Sequence, residues 1–196
     1  MSDSPRDEPS RIELHDLGRM RALANPARMR VLGALRLDGP ATVGALSERL
    51  DEAPGSVSYH LQTLAKHGFV EEAPELARDR RERWWRAAHD YTSWDPLEFR
   101  DDPATRAGLD EFRRQVLDGY HRELLEALAA EPALETEWVE AAESADAAAH
   151  LTAAELGELS AELAAVRDRW YRRGRERRAG TRPVRFITHT FVRGEP

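Results

Sequence analysis

The chain has no cysteine in its 196 residues. That absence excludes a disulfide framework and any thiolate metal site. Long apolar runs are also absent: nothing approaches the roughly 18 consecutive apolar residues of a membrane-spanning helix. The opening MSDSPRDEPS is polar and acidic and lacks the apolar centre of a signal peptide. Lysine is nearly missing, since Lys66 is the single lysine among 29 basic residues, and with abundant alanine this is the composition of a GC-rich genome. No glycine-rich phosphate loop, GxSxG elbow, HExxH helix or Cys/His pair appears, so neither an enzyme nor a cofactor is expected.

What is present is 41% hydrophobic and 33% charged, the balance of a soluble globular protein, and a cytoplasmic location is expected. The net charge of -7 opposes contact with a polyanion, yet the distribution matters more than the total. Residues 78–86, RDRRERWWR, hold five arginines against Asp79 and Glu82, a local excess of three positive charges. Such a run is a solvated loop in most proteins, and a phosphate-binding strip in some.

Along the chain, residues 1–10 read as a disordered leader. Ile12, Leu14, Leu17, Met20 and Leu23 recur at spacings of two and three and predict an amphipathic helix. Asn25 suits a helix cap and Pro26 the first helical position, so a second helix is expected from Pro26 to about Leu37, stopped by Asp38-Gly39-Pro40. Thr42 can cap a short third helix through Leu50. After the turn Asp51–Gly55, Val57, Leu61 and Leu64 form one stripe of a further helix that Gly68 ends. Two short helices joined by a tight turn make a helix-turn-helix pattern. Phe69-Val70 and Trp84–Ala87 then read as two strands of a hairpin whose tip is the arginine-rich segment.

The order of these elements carries a resemblance. ALANPARMRVLGAL, followed by SVSYHLQTLAKHGFVEE and a charged hairpin, resembles the ArsR-type winged helix-turn-helix regulators over roughly residues 12–90. Its most specific parts are Asn25-Pro26-Ala27-Arg28, the series Val57, Ser58, His60, Leu61 and Leu64, and then Gly68-Phe69-Val70. The resemblance implies a dimeric regulator of double-stranded DNA, with repression as the mode it favours. The alternative is a winged helix that docks a protein instead of DNA.

In the DNA-binding reading the second helix of the motif enters the major groove, where base edges present distinct donor and acceptor patterns. Helix geometry turns Val57, His60, Leu61 and Leu64 inward and leaves Gly55, Ser56, Ser58, Tyr59, Gln62, Thr63 and Lys66 outward. Gln62 suits adenine, Tyr59 a phosphate or thymine methyl, and Lys66 the phosphate backbone. Thr42 and the wing residues Arg78, Arg80, Arg81 and Arg83 complete the candidate contacts. Trp84 and Trp85 face opposite sides of their strand, so one of them must pack elsewhere, with the C-terminal helices as the expected neighbour.

The expected fold is mainly α (α+β), an N-terminal winged helix-turn-helix over 11–90 and an α-helical C-terminal region ending in a β-strand. Residues 91–103 read as a linker and 104–196 as a helical dimerisation and possible effector region. Within it a long helix to about residue 130 carries Leu109, Phe112, Val116, Tyr120, Leu124 and Leu128 on one face. A second helix is expected from Leu134 to about Ala149. A capping box of Thr152 and Glu155 opens a third, bearing Leu156, Leu159, Leu163, Val166 and Trp170. Residues 184–192, VRFITHTFV, predict a strand.

Metal sensing is not expected. Asp118 and His121 stand one helical turn apart, no second histidine follows in that helix, and His15, His60, His67, His89, His150 and His189 are scattered. Trp94, Trp138, Trp170, Tyr171 and Phe186 allow either an aromatic effector pocket for a small molecule or an ordinary core. The arginines at 167, 169, 172, 173, 175, 177 and 178 are either a second phosphate strip or basic side chains at a helix C-terminus.

Overall fold

A computed structural model describes residues 10–79, 82–175 and 178–194 of the chain. They fall into two units, Ser10–Leu134 and the residues from Glu135 on. In chain order the first unit holds β1 (Arg11–Glu13), α1 (Leu17–Leu23), α2 (Pro26–Asp38), β2 (Ala41–Thr42), α3 (Val43–Leu50), α4 (Pro54–Lys66), β3 (Val70–Glu72), β4 (Trp84–Ala87), β5 (Tyr91–Ser93) and α5 (Pro103–Ala130). The second holds α6 (Thr136–Ala141) and α7 (Ala153–Gly174). The architecture is mainly helical with two small sheets, as the α+β expectation had it.

Short polar side chains set where the helices start. Asp16 Oδ1 accepts from the Arg19 amide at 2.8 Å, Asn25 from Arg28 at 3.1 Å, and Thr42 Oγ1 from Ala45 at 3.2 Å. Each satisfies an amide that has no partner inside its own helix. Asp51, in the left-handed region at φ 52°, closes α3, and Gly68 at φ 76° follows α4. There the Phe69 amide reaches back to the Leu64 carbonyl at 3.0 Å, so the chain leaves α4 directly into β3.

Leu14, Met20, Val31, Leu46, Val57, Leu61, Leu64, Phe69 and Phe112 are fully buried and form one cluster that α1 to α5 share. The three-stranded sheet has the order β2-β4-β3 and is antiparallel, with Val70 opposite Ala87, Glu71 opposite Arg86 and Glu72 opposite Trp85. Trp85 is buried in this same cluster, with β4 against α2, rather than on the C-terminal helices.

Several expectations are corrected. Residues 11–23 are not one helix. Ile12 and Leu14, two apart, obey the strand period, and β1 pairs in parallel with β5, Ile12 opposite Thr92; the helix starts only after the Asp16 cap. Residues 91–103 are no linker, because β5 completes that pair, a 3-10 turn over Pro96–Phe99 buries Phe99, and Trp94 meets Phe112 edge-on at 5.2 Å. Ser10, placed in the leader, bonds Asp90 through its amide at 2.7 Å and its hydroxyl at 3.0 Å, while residues 1–9 lie outside the described residues.

In the second unit α6 ends at Ala141 instead of Ala149. The segment AESADAAAH carries no apolar side chain larger than alanine, and propensity without packing does not hold a short helix. The capping box is present: Thr152 Oγ1 accepts from the Glu155 amide at 3.3 Å while the Glu155 carboxylate accepts from the Thr152 amide at 2.7 Å. Residues 184–192 form no strand. Their β-branched and aromatic content has no neighbouring strand to pair with among the described residues, and Phe191 is 75% exposed. Thr190 instead meets Ser160 of α7, hydroxyl to hydroxyl, at 2.9 Å.

Candidate nucleic-acid interface

α4 is held from one side only. Val57, His60, Leu61 and Leu64 are buried against α2 and α3, so the opposite side of the helix is left to solvent. Gly55, Tyr59, Gln62 and Lys66 are exposed, Tyr59 to 62%, and Ser58 is half-buried between them. Gln62 Nε2 approaches Ser58 Oγ at 3.5 Å, which lines the two up along successive turns. Ser56 and Thr63 use their hydroxyls within the helix: Ser56 Oγ lies 3.2 Å from His60 Nε2, and Thr63 donates to the Tyr59 carbonyl at 3.0 Å. Thr42 is half-buried and its hydroxyl is engaged as the α3 cap.

The helix starts without a side-chain cap, with Ala53 before Pro54, which leaves its first-turn amides without side-chain partners. At its other end the only cation of the helix is Lys66. His60 closes the inner side. Burial, followed by the nearby Arg28 charge, lowers its pKa from the ordinary imidazole value. Its Nδ1 is buried without a hydrogen-bond partner.

The wing differs from its expected character. Arg83 pairs with Glu72 and holds its guanidinium 5.5 Å from the centroid of the Trp85 ring. Arg86 lies between Glu71, at 2.7 Å, and Glu75; the bond to Glu71 raises its pKa first of all. The Arg78 amide donates to Glu82 at 2.9 Å, which holds the Glu82 carboxyl below its ordinary range. Across residues 70–87 five arginines meet five carboxylates, so the hairpin as a whole carries no net charge. The excess of three within 78–86 stops short of Glu71, Glu72 and Glu75. Those three residues are the ones that sequence reasoning missed, and the signal for them was the hairpin register, which sets Glu71 directly opposite Arg86. Arg80 and Arg81, expected at the tip, lie outside the described residues.

Elsewhere the expected sites stay dispersed. Asp118 and His121 are exposed on α5, and among the described residues no group of three His, Asp or Glu side chains is arranged to hold a metal ion. Trp138 carries the Arg182 guanidinium at 5.4 Å and Trp170 that of Arg173 at 4.9 Å, so each is engaged by an arginine. Within the arginine run, Arg167 donates to Asp168 at 2.9 Å and Arg178 to the Arg173 carbonyl at 3.3 Å near the end of α7. Among the described residues no helix is long and apolar enough to cross a membrane.

Residues 23–73, from the end of α1 through β3, match the family model of a helix-turn-helix domain. This stretch is a helix-turn-helix domain. Both of its most specific motifs, 25–28 and 57–70, fall inside the match. The chain is similar to the homodimeric winged helix-turn-helix DNA-binding domain of Mb0332 from Mycobacterium bovis, described as a possible ArsR-family transcriptional regulator. The two share 24% identity over 57% of this chain and 82% of that one, with a TM-score of 0.33. It is also similar to reduced HlyU from Vibrio cholerae, at 22% identity over 51% of this chain and 86% of that one, TM-score 0.32. A third similar structure is NolR from Sinorhizobium fredii, at 27% identity over 37% of this chain and 68% of that one, TM-score 0.32. No curated protein matches the sequence.

Proposed function

We propose that this chain is a sequence-specific, DNA-binding transcription regulator of the ArsR-like type, working in the cytoplasm as a homodimeric repressor without a metal site. It acts by binding and not by catalysis. The observation that supports the reading most is the outward side of α4. Ser58, Tyr59 and Gln62 offer hydrogen-bonding groups to a groove, Lys66 supplies one positive charge, and the buried side pins the helix in place. Gln62 is matched to an adenine edge by its paired donor and acceptor. The exposed first-turn amides and Lys66 suit phosphates, which position the helix without reading sequence.

Such a homodimer would match an operator of two symmetric half-sites about one helical turn of DNA apart. The Mb0332 domain is homodimeric, which supports the same arrangement here. The test is a titration against genomic fragments that include the protein's own promoter, at several salt concentrations. Tight binding to one fragment over the rest is the expected result. Equal and weak binding to every fragment would remove the reading.

A further inference from the structure

The wing presents arginines and neutralises them in the same hairpin. Arg86 and Glu71 face each other across the β3–β4 ladder, Glu75 closes on the same guanidinium, and Arg83 pairs with Glu72. Arg86 and Glu71 are cross-strand partners set by register, so that pairing belongs to the fold and not to one side-chain rotamer, while Glu75, in the turn after β3, and Arg83, just before β4, add their ion pairs beside the ladder. Stacking near Trp85 holds Arg83 at the surface while Glu72 cancels its charge. On the reading helix Lys66 stands as the only cation.

From this we infer that Glu71, Glu72 and Glu75 hold down the sequence-independent affinity of the wing for DNA, so that occupancy depends on the base contacts of α4. This rests on the DNA-binding function proposed above. Non-specific affinity comes almost wholly from arginines and lysines that replace counterions on phosphate. An arginine already paired with a carboxylate must exchange that partner for a phosphate, and the carboxylate then stays beside the DNA as a like charge. Both effects weaken binding to every sequence equally. Base contacts from α4 are unaffected, so only a site that α4 reads well repays the exchange. An acidic protein with an uncharged wing would therefore leave bulk DNA largely unoccupied. A wing with the same arginines and no glutamates would hold any duplex.

The experiment compares full-length wild type, Glu72→Gln and the double variant Glu71→Gln with Glu75→Gln. Glutamine keeps the size and the hydrogen bonds of the pair and removes only the charge. Glu111→Gln on α5 is the matched control, since Glu111 is an exposed carboxylate ion-paired with Arg114. The probes are a random-sequence duplex and a promoter fragment of equal length, each titrated across a salt series, with melting temperature checked for every protein. The wing variants should bind the random duplex several-fold more tightly at low salt. The slope of log affinity against log salt should steepen by about 0.9 for each arginine released. Glu111→Gln should behave as wild type does. Wing variants with the wild-type slope, or a control that changes as much as they do, would overturn the inference while leaving DNA binding standing. If wild type and variants alike bind neither duplex at low salt, the DNA-binding reading falls and the inference falls with it.

Discussion

Ser56 and His60 stand one turn apart on α4, with the serine hydroxyl 3.2 Å from Nε2 of the imidazole. The bond joins the first turn of the exposed helix to a ring buried in the core. His60 is the residue of α4 whose protonation the fold resists, first through burial and then through the Arg28 charge. The unfolded chain protonates this imidazole at the ordinary value, near 6.5, and the folded chain only at lower pH. Between the two the unfolded state binds more protons, so stability rises with pH. It is full above the ordinary imidazole range and falls as the pH drops through it. Melting curves from roughly pH 7 down to pH 5 should therefore show a loss in wild type that His60→Gln reduces. Parallel pH profiles for the two proteins would refute the assignment.

Gln62 and Lys66 lie one turn apart on the exposed side of the same helix and should fail differently. Gln62→Ala removes a base-reading pair, which is worth about 1–3 kcal/mol of discrimination. Affinity for the preferred fragment should fall while affinity for a scrambled one stays. Lys66→Ala should weaken both equally and lower the salt slope by about one. Equal losses from Gln62→Ala on the two fragments would mean that this residue does not read sequence.

Gly108 brings α5 against α1. A β-carbon built there would lie 2.6 Å from Leu17 Cδ2, closer than real contacts allow, and 3.0 Å from Cδ1, so the end of the Leu17 side chain would have to shift. Because the crowding atoms are the terminal methyls of a half-buried side chain and alanine is the better helix former, Gly108→Ala should destabilise the first unit by about 1 kcal/mol or less. Shortening Leu17 opens the space, so Gly108→Ala combined with Leu17→Ala should cost less than the sum of the two single changes. Strictly additive denaturation midpoints would show that the two residues do not compete for that space.

The parts of the fold legible in the sequence are the ones governed by nearest neighbours. Asn25-Pro26, Thr42 and the pair Thr152 and Glu155 each mark a helix start through a bond spanning three residues, and all three are found where expected. The buried stripe Val57, His60, Leu61 and Leu64 is legible for the same reason, because helical period alone turns it inward. What was not legible depends on distant partners. β1 is a strand only because Tyr91–Ser93 comes beside it, some 80 residues away in the chain. Conversely, residues 184–192 have the composition of a strand and, among the described residues, no neighbouring strand to pair with. The wing was misjudged in charge because a window on its tip cannot show which glutamates the returning strand will face.

α5 outruns the core that anchors it. Leu109 and Phe112 are buried, whereas Leu124, Leu125 and Leu128 are 52%, 52% and 51% exposed, although the same helical stripe continues through them. Leucines exposed in a row on one helix are surface that a soluble protein tends to cover. In a homodimer a patch near the two-fold axis covers itself, each leucine meeting the same patch on the other protomer. Leu124→Glu together with Leu128→Glu places two carboxylates per protomer in that contact and leaves the buried Leu109 and Phe112 untouched. Sedimentation of the double variant should show monomer at concentrations where wild type is dimeric, with helix content and melting temperature of the monomer retained. DNA affinity should drop with the loss of the second half-site. A double variant that sediments as wild type does would remove α5 as the dimer contact and turn the search to other exposed faces of the chain.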